Sequence, residues 1–505
     1  MNELLNRHWD VLVIGTGMGG ATLGRALAER GRSVLFVEKG RAGFRQERQT
    51  LSFEVADPVA RAVRGFWPEP VEAIVNGQRS EFFAPLGCGV GGSSVFYAGT
   101  LERPEPHDLD HSESRPHPVG GWPFRWQEML PWLEKAEAMY GVHDGRGTPV
   151  SADDAAIMEK LGANGYRPIR LHSSIEGGPG CLECRGNKCP RTCKKDARSA
   201  GIEPAVATGR AAVLERCEAL ALRGDGRRIT HLEADLQGQK VQLRADRYVL
   251  AAGALGSPRL LLASASEHWP HGCGNAHDQV GRNLMFHLCE MFAVWPGTDQ
   301  GSTEPSKSVG LMDLYHFNGQ RLGMVQAMGV NVGYGEIVHF LRERLKQGPL
   351  ARLAPLTPLA AWPASRLMGR AKLFVGQLED LPYPGNRVLL DPARPGRIRF
   401  EYTMHEELLE RRRLFRRAIW RAFRGMRPSF ANWQPEINVG HACGTLRAGH
   451  DPRTSVLNAH CRVHDVENLH VVDSSFFPSS MGVNPSLTIA ANALRVADHL
   501  VKDSP

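Results

Sequence analysis

A doubly wound α/β fold is the class this sequence predicts, and two adjacent features carry the prediction. An apolar strand at residues 11–14 runs into Gly15-Thr-Gly17-Met-Gly-Gly20 and then a helix reaching about Glu29. A second apolar strand at residues 33–37 delivers Glu38, 18 residues after Gly20. The chain has 505 residues, 42% of them hydrophobic, so it can bury a large core, and its length suggests two or three domains.

Each element has a physical reason. The glycines at Gly15, Gly17, Gly19 and Gly20, with Met18 between them, let the backbone and a helix start approach a pyrophosphate. An acid at Glu38 suits a ribose hydroxyl pair. Together they predict a dinucleotide site without distinguishing FAD from NAD. Further along, residues 247–250 form a strand ending at Ala251-Ala252-Gly253, with Ser257 and Pro258 opening the next helix. The small residues there let the backbone touch the same cofactor.

The C-terminal segment places a base, a strand end and a helix start close together. His441-Ala-Cys-Gly-Thr445 is followed by a short buried strand at residues 469–472, by Asp473, and by Gly482-Val-Asn484-Pro485. Asn484 reads as an amide cap with Pro485 at the first helical position. A helix start there aims positive charge at the cofactor. A neutral imidazole, with an ordinary pKa of about 6.5, is a good acceptor for a hydroxyl proton. Gly440 and Gly444 flank the His441 turn and leave room for a ligand beside its ring. His464 reads as structural. Asn484 cannot take a proton, so the base role falls to His441.

Composition excludes several classes. The net charge of +7 is spread along the chain, which argues against nucleic-acid binding. No stretch reaches the roughly 18 uninterrupted apolar residues of a membrane span. The first ten residues lack a signal-peptide core, so a cytoplasmic location is expected. Residues 406–426 read as an amphipathic helix presenting Arg412, Arg413, Arg416 and Arg424 to solvent. Residues 348–363 hold four prolines and are not expected to form a regular helix. With residues 337–346 they read as a packed surface loop, with a cover over the substrate entrance or a peripheral membrane contact as the alternatives. Four of the ten cysteines, Cys181, Cys184, Cys189 and Cys193, crowd into thirteen residues. No metal, an iron-sulfur cluster and zinc are all open readings of that loop.

Five anchors in order resemble the glucose-methanol-choline (GMC) flavoprotein oxidoreductases. They are the N-terminal fingerprint; Gly89-Val-Gly91-Gly92-Ser93-Ser94 with Gly99-Thr-Leu-Glu-Arg-Pro104; Ala251 to Pro258; Val280-Gly-Arg-Asn-Leu284 with His287; and the C-terminal segment. The resemblance implies a discontinuous FAD-binding domain from residues 1–110, 196–290 and 436–505. An α+β substrate domain with a mixed or antiparallel sheet would come from residues 111–195 and 291–435, and residues 379–382 with 386–390 would form one of its strand pairs. It implies that Gly91, Gly92, Ser93, Ala252, Gly253, Asp473, Asn484 and Pro485 join the fingerprint in binding FAD, and that His441 and Asn484 are the catalytic pair. Residues 93–97 offer no histidine for a covalent flavin link, so dissociable FAD is expected. Some sugar dehydrogenases of the family carry an iron-sulfur cluster near the cysteine loop. The implied activity is oxidation of a small alcohol, with the apolar 348–363 segment favouring a hydrophobic one. An acceptor protein or quinone is the expected electron partner where oxygen is not. A non-redox lyase and an electron-relaying subunit are the alternative classes on the same fold.

Overall fold

The structure is a computed structural model; it describes residues 2–45, 57–145, 150–177, 181, 184–297, 307–329, 337–338, 341–342, 345, 351–368 and 371–503. Its first sheet is entirely parallel. The strand order is Leu469–Val471, Ala245–Leu250, Trp9–Ile14, Val34–Val37, Ala211–Leu214. Strands covered on both faces must be apolar throughout, which is why Val34–Val37 is buried at every position. Helices Met18–Ala28 and Ser486–Lys502 pack against each other beside this sheet. The order reverses between Trp9–Ile14 and Ala245–Leu250. Ligands of doubly wound sheets bind at the crevice such a reversal leaves.

A second sheet is antiparallel and has six strands: Ser429–Phe430, Leu288–Val294, Lys372–Leu378, Val325–Ala327, Val309–Leu311, Pro168–Arg170. One of its faces, with Leu288, Phe292, Phe374 and Leu378, shares a core with Phe415 and Ile419 of helix Glu406–Ala422. Side chains alternate across a strand, so Cys289, Met291, Val375, Gln377 and Gln326 share the opposite face. That face looks onto the crevice.

Several local expectations need correction. The helix after Ala245–Leu250 starts at Gly253 rather than at Ser257 and Pro258, which lie inside Gly253–Ala263. Pro258 brings no N–H, which leaves the Ala254 carbonyl without its helical donor. Thr445 supplies the missing hydrogen, its Oγ1 donating to Ala254 O at 2.6 Å. Arg412 and Arg416 are not a solvated face: both guanidinium groups donate to the fully buried Glu290, Arg416 at 2.9 Å. Residues 379–382 and 386–390 do not pair. Arg387–Leu389 belongs instead to a four-stranded sheet with Arg399–Tyr402, Val71–Val75 and Gln78–Phe82. Residues 71–82, assigned by sequence to the FAD-binding domain, thus pair with residues assigned to the substrate domain.

The proline-rich stretch does form helix, a 3-10 turn Ala351–Leu356 followed by the α-helix Thr357–Met368. Pro358 sits in the first turn, where N–H groups have no helical acceptor anyway. Pro363 lies inside the helix. The carbonyl it fails to bond belongs to Leu359, which is 75% exposed and open to water. Half of the candidate cover at residues 337–346 lies outside the described residues.

Candidate active site

The crevice opens into a cavity of about 900 Å³ lying between the parallel sheet and the six-stranded sheet. That is large for a small-molecule site. Every predicted catalytic or cofactor-binding residue except Gly20 and Gly91 lines it, and none of the four loop cysteines does. The glycine turn fits there because nothing larger does: a Cβ on Gly15, whose φ is +100°, would stand 2.4 Å from the Ala251 carbonyl oxygen. One on Gly19 would stand 1.9 Å from the Val472 carbonyl oxygen. Helix Met18–Ala28 has Gly17 at its N-cap, with no side chain bonded there. Its first N–H groups are left for a ligand.

Glu38 is buried at the end of its strand, and Thr16 holds it in place. Thr16 Oγ1 donates to Glu38 Oε2 at 2.6 Å and accepts from the Gly91 N–H at 3.1 Å. Gly40 N–H donates to the other carboxylate oxygen at 2.9 Å. Thr16 therefore ties both glycine loops to the acid, a role sequence reasoning missed. Gly91 serves through that bond rather than by lining the cavity. Gly20 is likewise internal, since a Cβ there would stand 2.3 Å from the Gly15 carbonyl oxygen.

Asp473 lines the cavity, but its carboxylate is spent on the protein. It accepts from Gly253 N–H at 2.9 Å, from Ser257 Oγ at 2.5 Å, and from the backbone and hydroxyl of Ser475. These bonds stitch the last parallel strand to the start of the Gly253–Ala263 helix. Burial raises the Asp473 pKa, opposed by those same donors. Tyr97 turns its hydroxyl to Ser174 Oγ at 2.5 Å and to the Lys195 carbonyl.

Both catalytic candidates, His441 and Asn484, line the cavity. Residues 285–288 pair antiparallel with 437–443, through bridges at Met285–Cys443 and Leu288–Ile437. This pairing sets His287 against His441, which ends the short 3-10 turn Val439–His441. Gly444 serves packing rather than ligand access: its φ is +87° and a Cβ would stand 2.5 Å from the Asn283 carbonyl oxygen.

Hydrogen bonding fixes both tautomers. His287 Nε2 faces two carbonyl oxygens, Met481 O at 3.0 Å and Ser480 O at 3.3 Å, so it carries the proton. Burial lowers the His287 pKa and keeps the ring neutral. Its Nδ1 is then an acceptor, 2.8 Å from His441 Nδ1, which must donate. His441 Nε2 is left with a lone pair. Burial, then the neighbouring His287 and Lys307, hold the His441 pKa well below its usual value. The ring is a neutral acceptor poised in the cavity wall.

Helix Ser486–Lys502 begins one residue later than expected, with Pro485 at the N-cap position and no side-chain cap. Asn484 is therefore not a cap. Its Oδ1 is buried and has no partner among the described residues, although the residue lines the cavity. Such a group carries a desolvation penalty unless a ligand meets it. Pro485, Ser486 and Ile489 also line the cavity, so a 17-residue helix opens onto it. Its N-terminus favours negative charge there. The orphaned amide, the open helix starts and the glycine cradle together suit a flavin dinucleotide.

In the cysteine loop, Cys189 Sγ and Cys193 Sγ lie 3.5 Å apart. Burial pushes the Cys193 thiol up to about 12, helped by Cys189. Burial opposes ionisation of Cys189 too, but hydrogen bonds from the Lys194 N–H, the Cys193 thiol, the Arg191 N–H and the Cys184 thiol together lower its pKa. Among the described residues no three His, Cys, Asp or Glu side chains converge as metal ligands.

Comparison with known proteins agrees with this arrangement. The N-terminal and C-terminal GMC oxidoreductase family profiles match residues 9–289 and 382–493. The chain belongs to the GMC oxidoreductase family. This GMC oxidoreductase is 31% identical to 6'''-hydroxyparomomycin C oxidase of Streptomyces lividus, over 99% of this chain and 93% of that one. It is 29% identical to paromamine 6'-oxidase of Streptomyces fradiae, over 99% and 92%. With the fructose dehydrogenase large subunit of Gluconobacter japonicus it shares 26% identity over 99% of both chains. Among solved structures, pyridoxine 4-oxidase from Mesorbium loti superposes with a TM-score of 0.68 at 19% identity, covering 99% of this chain and 100% of that one. Formate oxidase superposes with a TM-score of 0.69 at 15% identity, covering 98% of each. As a GMC oxidoreductase the protein is an FAD-dependent enzyme of the type that acts on alcohols. Among the described residues no helix is long and apolar enough to cross a membrane.

Proposed function

We propose that this protein oxidises a small-molecule alcohol to an aldehyde or ketone, with His441 as the base. The observation that carries the reading is the chain of bonds from the Met481 carbonyl through His287 to His441 Nδ1, which leaves His441 Nε2 unprotonated. Gly15, Gly17, Met18, Gly19, Glu38, Gly92, Ser93, Ala252, Gly253 and Pro485 would hold FAD. When bound, FAD supplies the hydride acceptor at its N5. His441 Nε2 takes the hydroxyl proton, and the resulting imidazolium keeps its Nδ1–H bond to His287. Asn484 holds the alcohol oxygen through its amide. The helix starting at Ser486 stabilises negative charge accumulating at that end of the site.

Binding of FAD is non-covalent in this reading: acid precipitation should release the flavin into the supernatant. The cytoplasm is the proposed compartment. Anaerobic titration of the holoenzyme with alcohols tests the reaction. Flavin bleaching supports oxidation, and its absence with any alcohol favours a lyase. Recovery on admitting air identifies dioxygen as acceptor; otherwise a quinone or acceptor protein is needed. An iron-sulfur relay is a second reading, favoured by the close Cys189–Cys193 pair in a loop whose Arg185 and Gly186 line the cavity. Iron and acid-labile sulfide in the purified holoenzyme would support it.

A further inference from the structure

We infer that the crevice-facing side of the six-stranded sheet is a hydroxyl-recognition subsite built on Gln326 and Gln377, and that the substrate is therefore a polyhydroxylated alcohol rather than a hydrophobic one. The inference rests on the alcohol-oxidation reading and names the substrate class of that site.

Gln326 lies on Val325–Ala327 and Gln377 on the adjacent Lys372–Leu378. Gln326 is directly opposite Val375, and Gln377 is two residues further on the same face. That diagonal separation is roughly 7–8 Å between backbones. Both side chains line the cavity while being only 2% and 3% exposed. Both amide oxygens are buried, and neither has a hydrogen-bond partner among the described residues.

Each such orphan costs about 1–3 kcal/mol when nothing meets it. Nothing in strand formation asks for glutamine here: the neighbours on this face are Cys289, Met291 and Val375, and apolar side chains would serve packing better. Two unmet amides in one cavity wall, with a third at Asn484 lining the same cavity, suit a ligand that presents several hydroxyls at once. Lys307 lines the same cavity, its Nζ donating to the Ala327 carbonyl at 3.0 Å, and it offers further hydrogens to hydroxyl oxygens. In the segment 348–363, from which sequence favoured a hydrophobic alcohol, none of the described residues lines the cavity, and Leu359 and Trp362 are exposed.

The test uses FAD-loaded enzyme with D-glucose, D-fructose and myo-inositol as polyol probes and 1-octanol and benzyl alcohol as apolar ones. Two readouts are taken: KM and kcat, and equilibrium binding from the shift in flavin absorbance with His441→Gln, which holds ligand without turnover. Gln326→Met and Gln377→Met keep side-chain volume, and an unshifted flavin spectrum in each variant confirms that the fold and cofactor site are intact. At least one polyol should bind more tightly than either apolar alcohol. Each glutamine variant should weaken polyol binding roughly tenfold or more, and the loss for the polyol should exceed that for benzyl alcohol by about the same factor. Tighter binding of the apolar alcohols, equal losses for both classes, or release of flavin by the glutamine variants would overturn the subsite. If polyols bind through the glutamines but no alcohol is ever oxidised, the subsite stands and the oxidation reading fails.

Discussion

Replacing His287 tests whether it sets the protonation state of His441. Its Nδ1 accepts from His441 Nδ1 at 2.8 Å inside a buried site. When His441 takes a proton, that bond becomes one to a charged group, which is worth about 1.5–3 kcal/mol. His287→Leu removes the acceptor, and each ~1.4 kcal/mol in a barrier is a tenfold change in rate. The rate of flavin reduction should fall about 10- to 150-fold, with substrate binding changed far less. His287→Asn is the control, because asparagine has the shape of leucine yet puts Oδ1 where the imidazole Nδ1 stood. It should recover most of the loss. The assay is anaerobic stopped-flow bleaching of the flavin in both variants, each loaded with FAD. A leucine variant as fast as the natural enzyme, or an asparagine variant as slow as the leucine one, would refute the reasoning.

Other expectations follow from the same geometry. A base works only when unprotonated, and His441 is held well below its usual pKa. Activity should therefore be lost only as pH falls well below about 6.5, and Lys307→Met, which removes a neighbouring cation, should move that acid limb of kcat/KM upward. Thr445→Val strips the donor from the Ala254 carbonyl left open by Pro258; denaturant melts should show a loss of about 1–3 kcal/mol. Gly19→Ala drives a methyl into the Val472 carbonyl, so FAD retention after gel filtration should collapse. Asn484→Ala should slow flavin reduction by one to two orders of magnitude, roughly the value of a hydrogen bond to a developing charge.

Much of the fold is legible in the chain because the parallel strands are buried on both faces and bounded by glycine. Trp9–Ile14, Val34–Val37, Ala245–Leu250 and Leu469–Val471 all lie within two residues of their predicted limits. Helix starts were read less well. Sequence alone places Pro258 in a first turn, whereas it lies inside a helix and Thr445 satisfies the carbonyl left over. No local signal encodes a partner 191 residues away. The same reason hid the role of His287: its motif was visible, but its tautomer depends on the carbonyls of Ser480 and Met481. Gln326 and Gln377 escaped because a glutamine in a short strand looks like an exposed edge until the register shows which face it occupies. His441, Asn484 and the glycine loops could be found because their residue types are demanded by chemistry or close packing at fixed sequence positions.

The central claim, that His441 takes the proton from an alcohol whose hydride reduces FAD, is tested most directly by comparing anaerobic flavin bleaching in the natural enzyme and in His441→Gln, both loaded with FAD. The account predicts bleaching in the first and a rate lower by about 10²–10⁴-fold in the second, with ligand binding kept. Equal bleaching rates in the two proteins would contradict it.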